Sequence, residues 1–349
     1  MKTLLGKALL GTLLSVSIGG AMAQAPLTEI KVSYQPALYW ALPFYVASEK
    51  GWWAQVGLKP VFSIFPAGVP QMAAVAAKSW DVGATGSVPA VLGHVRFGVK
   101  TIGLTNDESD ANALMVSKSM ADQFLSNPAS IKGQTILLTS NSTGDYAVQS
   151  CLKKYGLSKQ DVMMKNMGQA EIISALASGG ANLGGLWAPN TYSVEEKAGA
   201  TQLCSGKDGG AIVPGALIAR GDFAEKNPAE VAKFLAVYLR AWSWMTANRP
   251  EAEILMRKFY KQGGVNIADA SLKKEFEKRP TFTLEQQMMR MDRTKGESDM
   301  DGWFGKIATF MNGTGSINKV PASRDYITDD YMKLVNDDPQ LREFANNPK

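Results

Sequence analysis

Short apolar runs alternate with segments of helical periodicity between residues 29 and 204, and the alternation occurs twice. Strands separated by short helices form parallel sheets that carry helices on both faces. The alternation therefore predicts an α/β fold with one sheet in each half of this region. The predicted strands are 30–34, 58–65, 81–84 and 100–104 in the first half, and 134–138, 161–167, 183–186 and 201–204 in the second.

A repeated spacing links the two halves. Gly68 and Pro89 are 21 residues apart, and so are Gly168 and Pro189. In each half the glycine precedes a helix of small apolar residues and a strand follows. The proline then lies where the next helix is expected to begin, at the first helical position that proline favours. Together with the order of elements, this spacing predicts two similar lobes.

The residues after 205 are predicted to be mainly helical. Asn227 and Glu230 have the spacing of a capping box, with Pro228 at the first position of the helix that follows. We expect the helices of this region to return to the first lobe and to bridge the hinge. The predicted lobes are therefore 24–110 with 215–349 (lobe 1) and 111–214 (lobe 2). A buried apolar stripe is predicted at Val231, Phe234, Leu235, Tyr238, Trp242 and Met245.

The first 23 residues form a separate segment. Two lysines lie near its start, residues 8–18 are mostly apolar, and Ala21-Met22-Ala23 has the small-x-small pattern of a cleavage site. The apolar stretch is too short to span the roughly 30 Å of a bilayer core, which argues against a membrane anchor. We predict a secretory signal peptide, residues 1–23, that is cleaved after Ala23.

Charge and cysteine content narrow the possible partners. Removal of Lys2 and Lys7 with the signal peptide lowers the formal charge from +5 to +3, which is too small to predict nucleic-acid binding, and no run of lysines and arginines is present. Cys151 and Cys204 leave two interpretations open, a disulfide formed after export or two buried free thiols. One histidine and two distant cysteines do not have the spacing of a zinc site. We therefore predict neither a metal nor a cofactor.

Ligands of open α/β sheets bind beyond the carboxyl ends of the strands, where loops meet helix N-termini. In the first half, the adjacent aromatics Tyr39 and Trp40 follow the first strand, although at least one is expected to pack against the sheet. Gly68 follows the second strand and would let backbone N–H groups approach a ligand. Ser87 follows the third strand, where it can cap a helix or bond a ligand.

The second half offers equivalent positions. Ser142 and Thr143 lie at a predicted helix N-terminus, where free N–H groups and the helix dipole favour an anion. Asp145 either occupies this positive end itself or binds a cationic part of a ligand. Trp187 precedes Pro189 by the same two residues that separate Ser87 from its proline. The repeat therefore predicts that Trp187 points into the cleft.

No catalytic constellation is found in the sequence. His94 is the only histidine, so a metal centre built on several histidines cannot be assembled, and no motif places an acidic partner beside it for a triad. Neither a phosphate-binding P-loop nor a G-x-G-x-x-G motif is present. We predict no catalytic residues.

A series of short segments extends over nearly all of the mature chain. They are Tyr34-Gln35-Pro36, Ala47-x-x-Lys50-Gly51-Trp52, Val56-Gly57-Leu58, Trp80-Asp81-Val82-Gly83 with Gly86-x-x-Pro89, Ile131-Lys132-Gly133, Trp187-x-Pro189 and Asp325-Tyr326-Ile327-Thr328. In this order and spacing the sequence resembles the taurine/nitrate/sulfonate-type periplasmic binding proteins of ATP-binding cassette (ABC) importers.

The resemblance implies a type II periplasmic binding protein, with two α/β lobes joined by a two-segment hinge. It implies a monomer in the periplasm that binds a small organic anion, a sulfonate or carboxylate, between the lobes. The implied partners are the permease and ATPase subunits of a membrane transporter, with no nucleic acid and no cofactor. The ligand-binding residues implied by position are Tyr39, Trp40, Gly68, Ser87, Ser142, Thr143 and Trp187.

The sequence departs from this family at one position. Many relatives have an acidic residue between the tryptophan and the proline, where this chain has Ala188. In taurine-type members that acid looks suited to an ammonium group. Its absence favours a sulfonate or carboxylate without an amine, unless Asp145 substitutes for it.

Two other functions remain to be compared. Pyrimidine-synthesising and thiamine-degrading enzymes share this fold and rely on a cysteine-rich segment or a cysteine nucleophile in the cleft. Cys151 lies inside a predicted helix and Cys204 at a strand end away from the cleft, so we predict that the protein is not an enzyme. A binding protein of this kind can also feed a chemoreceptor, which the sequence does not separate from import.

Overall fold

The computed structural model describes residues 26–349, so the predicted signal peptide and its cleavage site lie outside the described residues. The strands are β1 Thr28–Tyr34, β2 Leu58–Ile64, β3 Val82–Gly86, β4 Lys100–Asp107, β5 Asn112–Val116, β6 Thr135–Leu138, β7 Met163–Asn166, β8 Leu183–Trp187, β9 Thr201–Ser205 and β10 Pro214–Ala219.

Helices cover both sheets and form most of the C-terminal region. They are α1 Leu42–Glu49, α2 Trp52–Gln55, α3 Gly68–Ala73, α4 Ser87–Phe97, α5 Ala121–Ser126, α6 Thr143–Lys154, α7 Gln169–Ala177, α8 Asn190–Ala198, α9 Gly221–Lys226, α10 Pro228–Ala247, α11 Arg249–Gln262, α12 Asp269–Lys278, α13 Leu284–Met291, α14 Asp299–Gly313, α15 Asp330–Asp337 and α16 Pro339–Ala345. Among the described residues, none of these helices is long and apolar enough to cross a membrane.

The strands form two five-stranded sheets of the same design. The first has the order β2-β1-β3-β10-β4 and the second the order β7-β6-β8-β5-β9. In each sheet three parallel strands are followed by one antiparallel strand that enters from the other lobe. The edge strand beyond it runs in the same direction as the first three. The equivalent order confirms the two similar α/β lobes predicted from the repeat.

The sequence analysis missed the two strands that make these sheets mixed. β5 and β10 follow the crossings between lobes, so no helix precedes them to complete the strand–helix alternation. Every residue of both strands is buried, which explains their apolar composition. The sheets are therefore mixed, whereas the alternation had predicted purely parallel sheets.

Two chain segments connect the lobes side by side. The chain leaves the first sheet after β4 and returns to it before β10. The Glu108 N–H donates to the Val213 carbonyl at 2.8 Å, and the Val213 N–H donates to Ser109 Oγ at 2.8 Å. The predicted lobe limits, 24–110 with 215–349 and 111–214, lie beside these segments and stay a prediction.

The long helix α10 confirms the predicted apolar stripe, because its six members are all buried. The predicted capping box at Asn227 is wrong. The Asn227 side chain donates to the Phe223 carbonyl at 2.9 Å, because the same residue ends α9 and precedes α10. The prolines also differ from expectation: Pro89 is the third residue of α4, and Pro189 immediately precedes α8.

The two cysteines form a disulfide within the second lobe. Cys151 of α6 is bonded to Cys204 of β9, with their Cα atoms 6.0 Å apart. Of the two interpretations that the sequence left open, the structure has the disulfide. The bond ties the helix to the edge strand beside it and leaves neither thiol available as a nucleophile.

Candidate functional site

Two helix N-termini, one from each lobe, meet at the interlobe boundary. In the first lobe β3 ends at Gly86 and α4 starts at the next residue. In the second lobe α6 begins at Thr143, after the loop that leaves β6. A Cβ atom placed on Gly86 would lie 2.7 Å from Thr143 Cγ2. The lobes therefore meet where two helix dipoles present their positive ends.

A small cavity lies at this junction. Its volume is about 30 Å³, whereas typical ligand pockets hold roughly 300–1,000 Å³. The cavity is therefore too small for such a ligand unless the lobes move apart. The lining residues are Gln35, Leu38, Trp40, Ala67, Gly68, Gly86, Pro89, Glu108, Ser142, Thr143 and Trp187.

Five of the seven residues singled out from the sequence line this cavity. They are Trp40, Gly68, Ser142, Thr143 and Trp187. These residues share a position in the fold, because each follows or ends a strand and faces the same interlobe space. Their contact with a ligand stays a prediction.

The structure does not bring Tyr39 to the cavity. Its side chain is 1% exposed and packs against Trp242, with ring centroids 4.7 Å apart, and against Phe276. Tyr39 and Trp40 belong to one 3₁₀ turn, in which successive side chains point about 120° apart. The Trp40 side chain therefore points to the cavity and the Tyr39 side chain into the core. This agrees with the expectation that at least one of the two would not face a ligand.

Ser87 lies beside the cavity with its hydroxyl unsatisfied. The residue is fully buried, and its Oγ has no hydrogen-bond partner within residues 26–349. Ser87 is the first residue of α4 while Gly86 holds the cap position, so the hydroxyl does not cap the helix. A buried hydroxyl without a partner is costly, which marks Ser87 Oγ as a group available to a ligand.

The loop before α6 satisfies its own side chains. Ser142 Oγ donates to the Thr139 carbonyl at 2.7 Å and accepts the Asp145 N–H at 3.1 Å. The Asp145 carboxylate accepts from the Asn141 N–H at 3.0 Å and from Gln149 Nε2 at 2.7 Å. Burial raises the pKa of the Asp145 carboxyl, against the effect of these hydrogen bonds. Asp145 is thus held within its own loop and does not line the cavity.

The indole of Trp187 covers the first turn of α6. Trp187 ends β8 and is partly buried, and a Cβ on Gly144 would lie 3.5 Å from its ring. Its backbone N–H donates to Gln169 Oε1 at 3.2 Å, and Gln169 Nε2 donates to the Gly185 carbonyl at 3.2 Å. These bonds fix the strand end that carries the indole.

The sequence analysis missed Glu108, a buried carboxylate in the crossing segment that lines the cavity. Arg279 holds it from the end of α12, with distances of 3.0 Å from Nε to Oε1 and 2.6 Å from Nη2 to both carboxylate oxygens. The guanidinium also lies 5.0 Å from the centre of the Tyr39 ring. The only sequence signal was an acidic residue directly after the fourth strand, and nothing in the sequence linked it to Arg279.

A larger groove of about 1,070 Å³ runs between α6 and α14. Tyr146 and Phe310 pack across it, with ring centroids 4.9 Å apart. Ser87, whose buried Oγ has no hydrogen-bond partner within residues 26–349, does not line this groove and lies beside the small cavity. We therefore place the ligand site at the small cavity, which adjoins the strand ends and the helix N-termini.

His94 and the other titratable groups offer no metal centre. The His94 ring stacks on Tyr326, with centroids 4.8 Å apart, and burial lowers its pKa. Within residues 26–349, no group of three or more histidine, cysteine, aspartate or glutamate side chains is placed to hold a metal ion.

Known proteins share this architecture. The chain is 27% identical to a binding protein of Brucella abortus over 319 residues, covering 89% of this chain and 94% of the relative. It is 30% identical to an aliphatic sulfonates-binding protein of Bacillus subtilis over 231 residues, covering 65% and 68%.

A solved structure shows the same fold. The alkanesulfonate-binding protein of Xanthomonas axonopodis pv. citri, bound to MOPS, superposes with a TM-score of 0.71 at 17% identity and covers 87% of this chain and 99% of its own. The two-lobed binding-protein fold predicted from the sequence is thereby confirmed. A family model described as NMT1/THI5 like matches residues 41–252. Since that match spans more than half of the chain, the protein belongs to the NMT1/THI5-like family.

Proposed function

We propose that this protein is the solute-binding component of an ABC importer and holds a small organic anion, a sulfonate or carboxylate, between its lobes. The observation that carries the proposal is the meeting of the α4 and α6 N-termini at one enclosed cavity. The relatives named as binding proteins for sulfonates support this ligand class.

Backbone N–H groups would supply the binding energy for the anion. The first turn of a helix has N–H groups without intrahelical partners. In α6 Ser142 caps the Asp145 N–H, which leaves those of Thr143 and Gly144. In α4 Pro89 has no N–H, which leaves those of Ser87 and Val88. These four donors and the Ser87 hydroxyl suit the oxygens of one acid group, and the indoles of Trp40 and Trp187 enclose its apolar part.

Closure would couple binding to recognition by the transporter. An anion held between the lobes contacts both of them only when they are closed, so it favours the closed form. The exported monomer, in the periplasm after removal of residues 1–23, would then deliver its ligand to permease and ATPase subunits. The relatives' names support a binding protein, and the periplasmic location rests on the N-terminal sequence.

A binding role also fits the residues at the cavity better than catalysis does. Neither cysteine nor histidine is among the residues that line the described cavity. Both cysteines are in the disulfide, and the hydroxyls of Ser142 and Thr143 already donate hydrogen bonds to oxygen acceptors. The arrangement supports capture and release of an unchanged solute.

The test is a thermal-shift and calorimetry screen of the purified mature protein against sulfonates, aliphatic and aromatic carboxylates, nitrate and pyrimidines. A ligand at 100 times its Kd stabilises the folded state by about 2.7 kcal/mol, which such a screen detects. We expect an organic anion to bind with one site per chain. Binding of neutral pyrimidines without any anion, or turnover of a bound compound, would contradict the proposal.

A further inference from the structure

The interlobe cavity carries a carboxylate and no cationic side chain. Among the residues that line it in the described chain, Glu108 is the charged one, and neither lysine nor arginine is present. We propose that Glu108 is a specificity-determining residue that accepts a hydrogen bond from an N–H group of the ligand. The site would then select small anions that also carry an amine or amide N–H. This inference rests on the function proposed above.

Hydrogen bonds fix the orientation of the Glu108 carboxylate and leave part of it free. Oε1 accepts from Asn106 Nδ2 at 2.5 Å and from Arg279 Nε and Nη2 at 3.0 and 2.6 Å. Oε2 accepts from Arg279 Nη2 alone, at 2.6 Å. Since each carboxylate oxygen has two lone pairs, Oε2 retains the capacity to accept a further hydrogen bond. The fixed carboxylate is thus preorganised to accept from one further donor.

Arg279 does not fully neutralise Glu108, because it is shared. Arg279 Nη1 also pairs with Glu275 at 2.7 Å, and all three side chains are almost completely buried. One guanidinium between two carboxylates leaves an excess of one negative charge when both acids are ionised. Burial raises the pKa of the Glu275 carboxyl, and the nearby Glu108 carboxylate acts in the same direction. A ligand N–H group, above all a protonated amine, would complement this charge.

Another part of the cavity wall suits the acid group of the same ligand. There the α4 and α6 N-termini present backbone donors, while Glu108 lies in the crossing segment between the lobes. A molecule with an acid at one end and an N–H donor at the other would satisfy both. This changes the expectation drawn from Ala188, because the chain lacks the acid beside the proline but has another acid in the cavity wall.

An anion without a donor would be penalised. On lobe closure it would remove water from Glu108 Oε2 and leave that lone pair unsatisfied. A site built to bond a polar group rejects analogues that lack it more strongly than an apolar site rejects a change in size. We expect the wild-type protein to prefer the donor-bearing member of a matched pair by at least about tenfold in Kd.

The alternative is that Glu108 only stabilises the hinge. Its backbone N–H donates to the Val213 carbonyl, and its carbonyl accepts from Asn112 Nδ2 at 3.0 Å. Those backbone bonds survive a change of side chain. A purely structural role would therefore alter stability, or all affinities together, without changing the ratio between matched ligands.

The experiment measures that ratio by calorimetry for taurine against ethanesulfonate and for β-alanine against propionate. Glu108→Gln keeps the side chain's shape and the acceptor for Arg279, but presents an NH₂ group where Oε2 was. We expect the preference for the amino compounds to fall by about 5- to 150-fold, mainly through weaker binding of those compounds. Glu275→Gln is the matched control, because Glu275 pairs with the same arginine but does not line the cavity. It removes charge behind the cavity but no acceptor from the cavity wall, so it should change the ratio much less than Glu108→Gln does.

The outcomes separate this inference from the proposed function. If wild-type protein binds both members of each pair equally, or if Glu108→Gln and Glu275→Gln change the ratio alike, the specificity role is wrong while anion binding stands. If no anion binds, both proposals fail. Should Glu108→Gln not fold in a denaturant melt, Glu108→Asp takes its place. It keeps the charge but withdraws the carboxylate by one methylene, and the same fall in the ratio is expected.

Discussion

Gly86 of the first lobe faces Thr143 of the second so closely that a Cβ atom on the glycine would lie 2.7 Å from Thr143 Cγ2. Gly86 has φ −72°, a conformation that alanine adopts without strain. The need for glycine at this position therefore comes from the approach of the lobes and not from the backbone. A side chain at this position should therefore hinder closure of the lobes and leave the folding of each lobe largely unaffected.

Gly86→Ala should weaken ligand binding by about 5- to 150-fold, the equivalent of the 1–3 kcal/mol that overpacking typically costs. The free energy of unfolding should change little, because the clash exists only in the closed form. Calorimetry with a ligand from the screen and a denaturant melt measure the two quantities.

Two variants control this prediction. Thr143→Ser removes Cγ2 and keeps the hydroxyl, so the double variant should recover part of the lost affinity. Gly302→Ala, on α14 with no atom within 4 Å of its added Cβ, should bind normally. If Gly86→Ala binds as tightly as the wild type, closure does not bring these residues together in solution.

Much of this site was predictable because strand ends and helix starts leave a local signal. Gly68, Ser142 and Trp187 were found in this way, since turn residues and the repeated spacing mark the carboxyl edge of each sheet. The two lobes followed from the same pattern. Features that depend on residues close together in the chain could therefore be predicted from the sequence alone.

What escaped prediction depends on contacts between distant residues. Glu108 and Arg279 are 171 residues apart, so their pairing is decided by where α12 packs and not by any local pattern. The direction of the Tyr39 side chain is likewise set by Trp242 on α10. The sequence placed Asp145 near the positive end of α6. That its carboxylate accepts the Asn141 N–H could be seen only from the geometry of the loop.

Trp187→Ala should weaken ligand binding without unfolding the protein. Loss of a stacked aromatic in a binding site costs on the order of 1–3 kcal/mol, or roughly 5- to 150-fold in Kd. Calorimetry alongside a denaturant melt checks this. Trp80→Ala provides the contrast, because that indole is fully buried and donates to the Gln71 carbonyl, so its removal should cost about 3–5 kcal/mol of stability. A Trp187 variant that resembled the Trp80 variant would place Trp187 in the core.

Reduction of the disulfide should destabilise the second lobe. Thiol titration of the unfolded, unreduced protein should detect no free thiol, since both cysteines are bonded. The bond joins residues 53 positions apart, and the loop-entropy model assigns about 4 kcal/mol to a loop of this length. Denaturant melts of oxidised and reduced protein measure the difference. Two titratable thiols in protein purified from the periplasm would contradict the pairing.

Glu196 forms a contact between lobes away from the cavity, and its loss should speed ligand release. Its carboxylate, on α8, accepts from the Ala268 N–H at 3.1 and 3.2 Å and from Ser271 Oγ at 2.6 Å, at the start of α12. The contact satisfies a helix N-terminus of the first lobe with an acid of the second, so separation of the lobes breaks it.

Removing such a cap costs about 0.5–2 kcal/mol, which corresponds to a release rate about 2- to 30-fold faster. Because encounter with the open form is unaffected, the association rate should not change. Stopped-flow measurements of Glu196→Ala test both rates.

Glu195→Ala is the matched control, since its pair with Lys274 is long, at 3.6 Å, and partly exposed, so it should change release little. Equal effects of the two substitutions would show that the charge of α8, and not the cap on α12, governs closure.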